Sequence, residues 1–223
     1  MRLLSGDYGS DSSGMRLAAQ KSFYIERLRE FGPGSARSVG WFDYLQVLLF
    51  EKLFRIISGG IYPHEKRTLL DVGCGTGDMC HYLSLFGFLY VDYSGIDILP
   101  EMITAARGKY PGKTFKRADF FSSSFKENYD YIFCSGALNL RTEKSFDEHA
   151  LFVMRFIKKM YDLSAMGCGI NLLAADGRDY FPKDNMFYYA DRAEIMDFCG
   201  SISGKVRMDY NEYEYVFTVT LEK

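Results

Sequence analysis

From residue 68 onward, strand-patterned runs alternate with helix-patterned segments, and this alternation restricts the chain to a sheet with helical crossovers. "TLLDVG" (68–73) reads as a strand and 77–87 as a helix. "YSGID" (93–97) and "TFKRAD" (114–119) are strands flanking the helix "LPEMITAARGKY", with Pro100 in its first turn. "YDYIFCSG" (129–136) is a strand, and "SFDE" (145–148) is a capping box that opens a helix over 147–162. "CGINLLAA" (168–175) is a strand followed by a long loop, 176–190. "DRAE" opens a helix over 191–199 that Gly200 closes. Strands joined through helices pair in parallel, and a parallel sheet needs cover on both faces. "KVRMDY" and "YEYVFTVTLE", joined by the short "NE", pair instead as an antiparallel hairpin. The expected fold is α/β and doubly wound. Its seven-stranded sheet is mostly parallel with an antiparallel C-terminal hairpin strand, and helices lie on both faces.

Ahead of this pattern, residues 1–14 are rich in Gly, Ser and Asp and read as a flexible tail. Leu17, Tyr24, Ile25, Leu28 and Phe31 recur at helical spacing, and "FGPGS" ends that helix. A second helix follows in "VGWFDYLQVLLFEKLFRIISGG", with Asp43 as N-cap and Gly59-Gly60 as the stop. The expected organisation is a tail (1–14), a helical cap (15–64) and a main domain (65–223). Hydrophobic residues make up 48% of the 223, enough to fill a sizeable core. A net charge of −2 leaves no basic excess to neutralise phosphates, so nucleic acid is not the expected partner. The five cysteines are scattered without a C-x-x-C, and the three histidines show no ligand spacing, so neither disulfides nor a metal site is expected. No leader pattern and no membrane-length apolar run occurs; the expected location is cytoplasmic and no membrane partner is expected.

The turn Gly73-Cys74-Gly75-Thr76-Gly77 is G-x-G-x-G, which allows close backbone approach by a ligand or a tight strand-to-helix connection. Asp71, two residues earlier, would repel a pyrophosphate and suits a cationic ligand; alternatively it bonds turn N–H groups. Asp97 ends the next strand, where an acid accepts ribose hydroxyls, or else caps the helix at Pro100. Asp119 ends the third, where it can accept from an adenine amino group while Phe120 packs on the ring. Ligands of open α/β sheets bind at the carboxyl ends of the strands, where these acids and "SGALN" (135–139) fall. The ligand implied has a ribose and an adenine-like edge, with no bulky phosphate.

With these residues in place, the chain resembles the class I S-adenosylmethionine-dependent methyltransferases, of Rossmann-like fold. "LLDVGCGTGDM" is similar to their first motif, "GIDILPEMI" to the second, "RADF" to the third and "YDYIFCSG" to the fourth. "GPGSARSVGW", "SGALNLR" and "DYNEYEYVFTV" resemble one small bacterial branch. The resemblance implies S-adenosylmethionine as cofactor. It places Gly73, Cys74 and Gly75 at the methionine part and Asp71 near its ammonium. Asp97 would hold the ribose, Ile98 and Met102 would pack on adenine, and Asp119 and Phe120 would fix the adenine edge. Ser135 and Gly136 would lie beneath the sulfonium.

The expected acceptor is a small molecule. Tyr24, Arg37 and Trp41 from the leading segment, Asn139 and Arg141 after the fourth strand, and Tyr180 and Tyr188 in the long loop are the candidates to meet it. His149 is expected as a cap or surface residue, and no catalytic base or oligomeric state is assigned. Two other readings stand: a catalytically silent S-adenosylmethionine-binding or regulatory protein, and an NAD(P)-dependent oxidoreductase, which Asp71 and the missing sixth glycine position oppose.

Overall fold

The computed structural model describes residues 13–57, 65–143, 145–177 and 186–223. Helix α1 (Ser13–Phe31) and a 3-10 turn (Ala36–Val39) lead into α2 (Asp43–Phe54). There follow β1 (Arg67–Val72), α3 (Asp78–Leu85), β2 (Val91–Asp97), α4 (Pro100–Lys109), β3 (Thr114–Arg117) and β4 (Tyr129–Ser135). The chain ends with α5 (Phe146–Leu163), β5 (Ser164–Leu173), α6 (Arg192–Ile202), β6 (Lys205–Asn211) and β7 (Val216–Glu222). The seven strands form one sheet in the order β3-β2-β1-β4-β5-β7-β6. The first five are parallel, and β7 runs antiparallel to both β5 and β6. The expected architecture is what forms.

The order reverses between β1 and β4, which opens a crevice at their carboxyl ends. Strand alternation sorts the core into two layers. Leu69, Tyr93, Tyr131 and Phe133 face α2, α3 and α4, against Leu53, Phe54, Met79 and Ile103. Leu70, Val72, Ile132 and Cys134 face α5 and α6, against Val153, Ile157 and Ile195. Helix α2 buries Leu45, Leu49, Phe50, Leu53 and Phe54, and packs on β4, β5 and β7 directly.

Local signals explain most boundaries. Ser145 accepts from the Glu148 N–H while Glu148 reaches back to the Ser145 N–H, so the capping box forms. Asp191 caps α6 by accepting from the Ala193 and Glu194 N–H groups. Two expectations are corrected. Asp43 is not the N-cap of α2: it sits inside the first turn, and its Oδ1 accepts from the Ala36 N–H at 3.0 Å, tying the helix to the preceding turn. Gly200 does not close α6, which runs to Ile202, because the packing of Ile195 and Cys199 carries the helix past one glycine. The tail expected over 1–14 lies outside the described residues up to residue 12, while Ser13 and Gly14 already belong to α1. The Gly59-Gly60 stop also lies outside them.

Candidate functional site

The glycine turn leaves β1 with three left-handed residues: φ is +72° at Gly73, +52° at Gly75 and +82° at Gly77. L-residues with a Cβ rarely adopt this backbone, so the turn depends on glycine. Its first three residues are held by β2, and the Gly77 N–H closes the turn on the Cys74 carbonyl at 2.9 Å. The Gly73 and Cys74 N–H groups donate to the Ile96 carbonyl at 2.8 and 3.0 Å, and the Gly75 N–H donates to Asp97 Oδ2 at 3.0 Å. The other oxygen, Asp97 Oδ1, accepts from the Leu99 N–H at 2.9 Å and shapes the entry to α4. Asp97 thus braces turn and helix start together. Burial raises its carboxyl above the usual range, against the backbone N–H groups that lower it.

A cavity of about 780 Å³ opens at these strand ends. Of the residues expected at a ligand, Gly73, Gly75, Asp97, Ile98, Met102, Asp119, Phe120, Ser135, Gly136 and Tyr24 line it. Asp119 is exposed, and its Oδ1 accepts from the Phe121 N–H at 2.8 Å. The Phe120 ring lies mainly in the core, 4.9 Å from the Phe156 ring. Tyr24 reaches the wall from α1; burial raises its phenol well above the ordinary value, and the charges of Asp97 and Cys134 add to the rise.

Other expected residues lie off the wall. Asp71 is 3% exposed because the strand pleat turns it inward, where its Oδ2 accepts from the Tyr93 hydroxyl at 2.8 Å. Burial pushes its carboxyl up to about 7. Cys74 is buried beside it, its thiol raised by the same burial. The Arg37 guanidinium stacks on Phe31 at 4.0 Å, on the outside. Trp41 covers the back of Gly136, where an added Cβ would come 2.5 Å from the indole. Asn139 is buried, and its Oδ1 accepts from the Leu173 N–H at 3.1 Å. The Arg141 N–H donates to the Met186 carbonyl at 2.7 Å, and its guanidinium lies 4.8 Å from the Phe146 ring. Tyr188 is buried, with its ring 4.6 Å from His149. Tyr180 lies outside the described residues.

His149 is a correction: it is fully buried. Its Nδ1 accepts from the Thr142 N–H at 3.2 Å, so Nε2 carries the hydrogen and donates to the Leu138 carbonyl at 3.0 Å. It thereby clamps the loop after β4, whose Leu138, Leu140, Thr142 and Glu143 line the cavity. Phe121, Phe152 and Phe156 also line it, as do Gln20, Val39, Leu99 and Arg117. Sequence reasoning missed these residues. The helical spacing of Phe152 and Phe156 marks one apolar face of α5, but not that its edge meets a cavity.

The chain matches the family model described as a methyltransferase domain over residues 69–160. It is 31% identical over 153 residues to the putative methyltransferase Rv1506c of Mycobacterium tuberculosis, covering 67% of this chain and 90% of that protein. It is 26% identical over 156 residues to ajmaline N-methyltransferase of Rauvolfia serpentina, covering 69% of this chain and 52% of that protein. Among solved structures, the plantazolicin methyltransferase BpumL with a pentazolic desmethylPZN analog and SAH superposes with a TM-score of 0.65 at 13% identity, covering 95% and 96% of the two chains. Magnesium protoporphyrin IX methyltransferase from Synechocystis PCC 6803 with bound SAH superposes at 0.54 and 15% identity, covering 98% and 90%. With the sheet order, the glycine turn and the acids at its strand ends, these matches establish that the chain belongs to the S-adenosylmethionine-dependent methyltransferases.

Proposed function

We propose that this protein transfers the methyl group of S-adenosylmethionine to a small-molecule acceptor, with both molecules in the cavity at the ends of β1, β2, β3 and β4. The observation that carries the reading is the Asp97 carboxylate. It lies on the cavity wall, where its two oxygens accept from the Gly75 and Leu99 N–H groups and the Ile98 N–H also acts on it, and its remaining lone pairs would accept from the ribose hydroxyls. Asp119 Oδ2 would accept from an adenine amino group, and Ile98 and Met102, which line the cavity, would supply apolar contact to its ring. Gly73 and Gly75 would present their backbone to the methionine part, and their missing Cβ atoms leave room for Ala137 and Val39 behind them. Asp71 would act on the ammonium from behind the turn once it is ionised, above about pH 7. S-adenosylmethionine supplies a methyl already activated by a positively charged sulfur. The chain's own residues therefore contribute mainly positioning.

The small-molecule reading is supported by a cavity of about 780 Å³ and by relatives whose names state such acceptors, as with ajmaline. Five free and buried cysteines fit a cytoplasmic location. Among the described residues, no helix is long and apolar enough to cross a membrane.

Calorimetric titration with S-adenosylhomocysteine (SAH) and with NADH tests the cofactor site: SAH binding with no heat from NADH is expected, and the reverse would end the reading. Methyl transfer from radiolabelled S-adenosylmethionine into a whole-cell lysate, fractionated afterwards into small molecules and macromolecules, tests the reaction. Label confined to macromolecules would reject the small-molecule acceptor, and silence despite SAH binding would favour a binding protein.

A further inference from the structure

Three polar side chains stand in a row across β4, β5 and β7. Ser135 is the register partner of Asn171, and Asn171 that of Thr218. Asn171 Nδ2 donates to Ser135 Oγ at 2.8 Å, and Thr218 Oγ1 donates to Asn171 Oδ1 at 2.6 Å. Asn171 and Thr218 are buried within the sheet, whereas Ser135 reaches the cavity wall. An amide nitrogen only donates and an amide oxygen only accepts, so the row has a direction. At its cavity end, a Ser135 lone pair is engaged by Asn171, and the hydroxyl hydrogen is not used by that bond. Successive hydrogen bonds polarise one another, which makes that hydrogen the better donor. Sheet register alone does not call for the row, because apolar residues of the same shape would fill it at little net cost.

We propose that Ser135 is a substrate-binding residue that donates its hydroxyl hydrogen to the attacking atom of an ionised oxygen acceptor, a carboxylate or a phenolate, with Asn171 and Thr218 as positioning residues behind it. This rests on the methyltransferase reading of the cavity. Lone pairs decide between oxygen and nitrogen. An amine has one lone pair, which must face the methyl group, so a donor aimed at it would compete with the reaction. An oxygen anion accepts from Ser135 and keeps further lone pairs for attack. Among the described residues, neither a histidine nor a lysine lines the cavity, the Tyr24 phenol is held neutral by burial, and the carboxylates that do line it, Asp97, Asp119 and Glu143, are weak bases, with Arg117 as the cation beside them. An acceptor that arrives ionised needs no base. The acceptor oxygen forms its bond to the methyl carbon as the carbon–sulfur bond breaks. That bond's electron pair stays on sulfur, the two charges cancel, and no proton moves.

The test uses the full chain, Ser135→Ala and the near-isosteric Thr218→Val. SAH affinity is measured first and is expected to match wild type in both variants, while the melting temperature falls in each because one Asn171 amide atom loses its partner inside the sheet. Loss of SAH affinity in Ser135→Ala would assign Ser135 to the cofactor and overturn the proposal. SAH-loaded protein is then titrated with 2-naphthoate, 4-nitrophenolate and 2-naphthylmethylamine. The two oxygen anions are expected to bind in preference to the amine. Ser135→Ala should weaken each by about tenfold, the scale of one hydrogen bond to a charged group, and Thr218→Val by a smaller factor. Preference for the amine, above all one abolished by Glu143→Gln, would overturn the proposal. So would unchanged anion affinity in Ser135→Ala, or no anion binding at millimolar concentration. If wild type fails to bind SAH, the cofactor reading itself fails; if SAH binds and the anions do not, only the present proposal does.

Discussion

The Tyr93 hydroxyl donates to Asp71 Oδ2 at 2.8 Å, from β2 to β1, directly under the glycine turn. Burial dominates the electrostatics of this pair. It lifts the Asp71 carboxyl to about 7, the Tyr93 bond opposes the rise, and the charges of Asp97 and Asp78 add to it.

That shift has a signed consequence for stability. An unfolded aspartate titrates near pH 4, so between about pH 4 and the folded value the native state keeps a proton that the unfolded state has lost. Stability from this group is therefore greatest below about pH 4 and falls as pH rises toward neutrality, by at most a few kcal/mol. Asp71→Asn should lack this slope. Urea unfolding of both proteins across that range is expected to show the variant gaining on wild type as pH rises, and parallel curves would refute the assignment.

Asp97 holds the Gly75 and Leu99 N–H groups and faces the cavity. Asp97→Ala should reduce SAH affinity by roughly 1.5–3 kcal/mol, as for a hydrogen bond to a charged group, and lower the melting temperature as well. Calorimetry showing wild-type affinity would remove Asp97 from the ribose site.

A Cβ on Gly75 would come 2.5 Å from Val39 Cγ1, in the 3-10 turn that follows α1. Gly75→Ala therefore combines left-handed strain, about 1–2 kcal/mol, with a clash. Val39→Ala should recover the clash and leave the strain. A double-mutant cycle in denaturant is expected to give a favourable coupling of about 1 kcal/mol between the two sites. A coupling of zero would mean that the 3-10 turn does not press on the glycine turn.

His149 bonds Leu138 and Thr142 through its two ring nitrogens. His149→Ala should destabilise by about 2–5 kcal/mol through the cavity and the lost bonds. His149→Phe separates these causes, since it fills the space without the bonds. A Phe variant as stable as wild type would show that volume alone holds the loop.

The capping box at Ser145 and Glu148 was legible because its partners are three residues apart. The glycine turn, Asp97 at the end of β2 and Asp119 were legible because strand ends in such a sheet share one edge, although β3 stops at Arg117, two residues before Asp119. Asp71 belongs to the same stretch as Gly73, yet the pleat turns it toward Tyr93 while the glycines reach the cavity. Asn139 was expected at an acceptor and instead accepts from Leu173, a residue of another strand.

What the amino-acid sequence determined by itself was local: helical and strand periodicity, caps, and a glycine turn flanked by acids, each set by neighbours a few residues away. These were enough for the α/β class and the family. The tertiary structure alone decided that β4 lies beside β1, that His149 closes the loop between Leu138 and Thr142, and that Ser135, Asn171 and Thr218 form one hydrogen-bonded row. The physical reason is that strand order and register join residues far apart in sequence. A side chain's partner across the sheet is therefore set by the packing of whole elements and not by its chain neighbours.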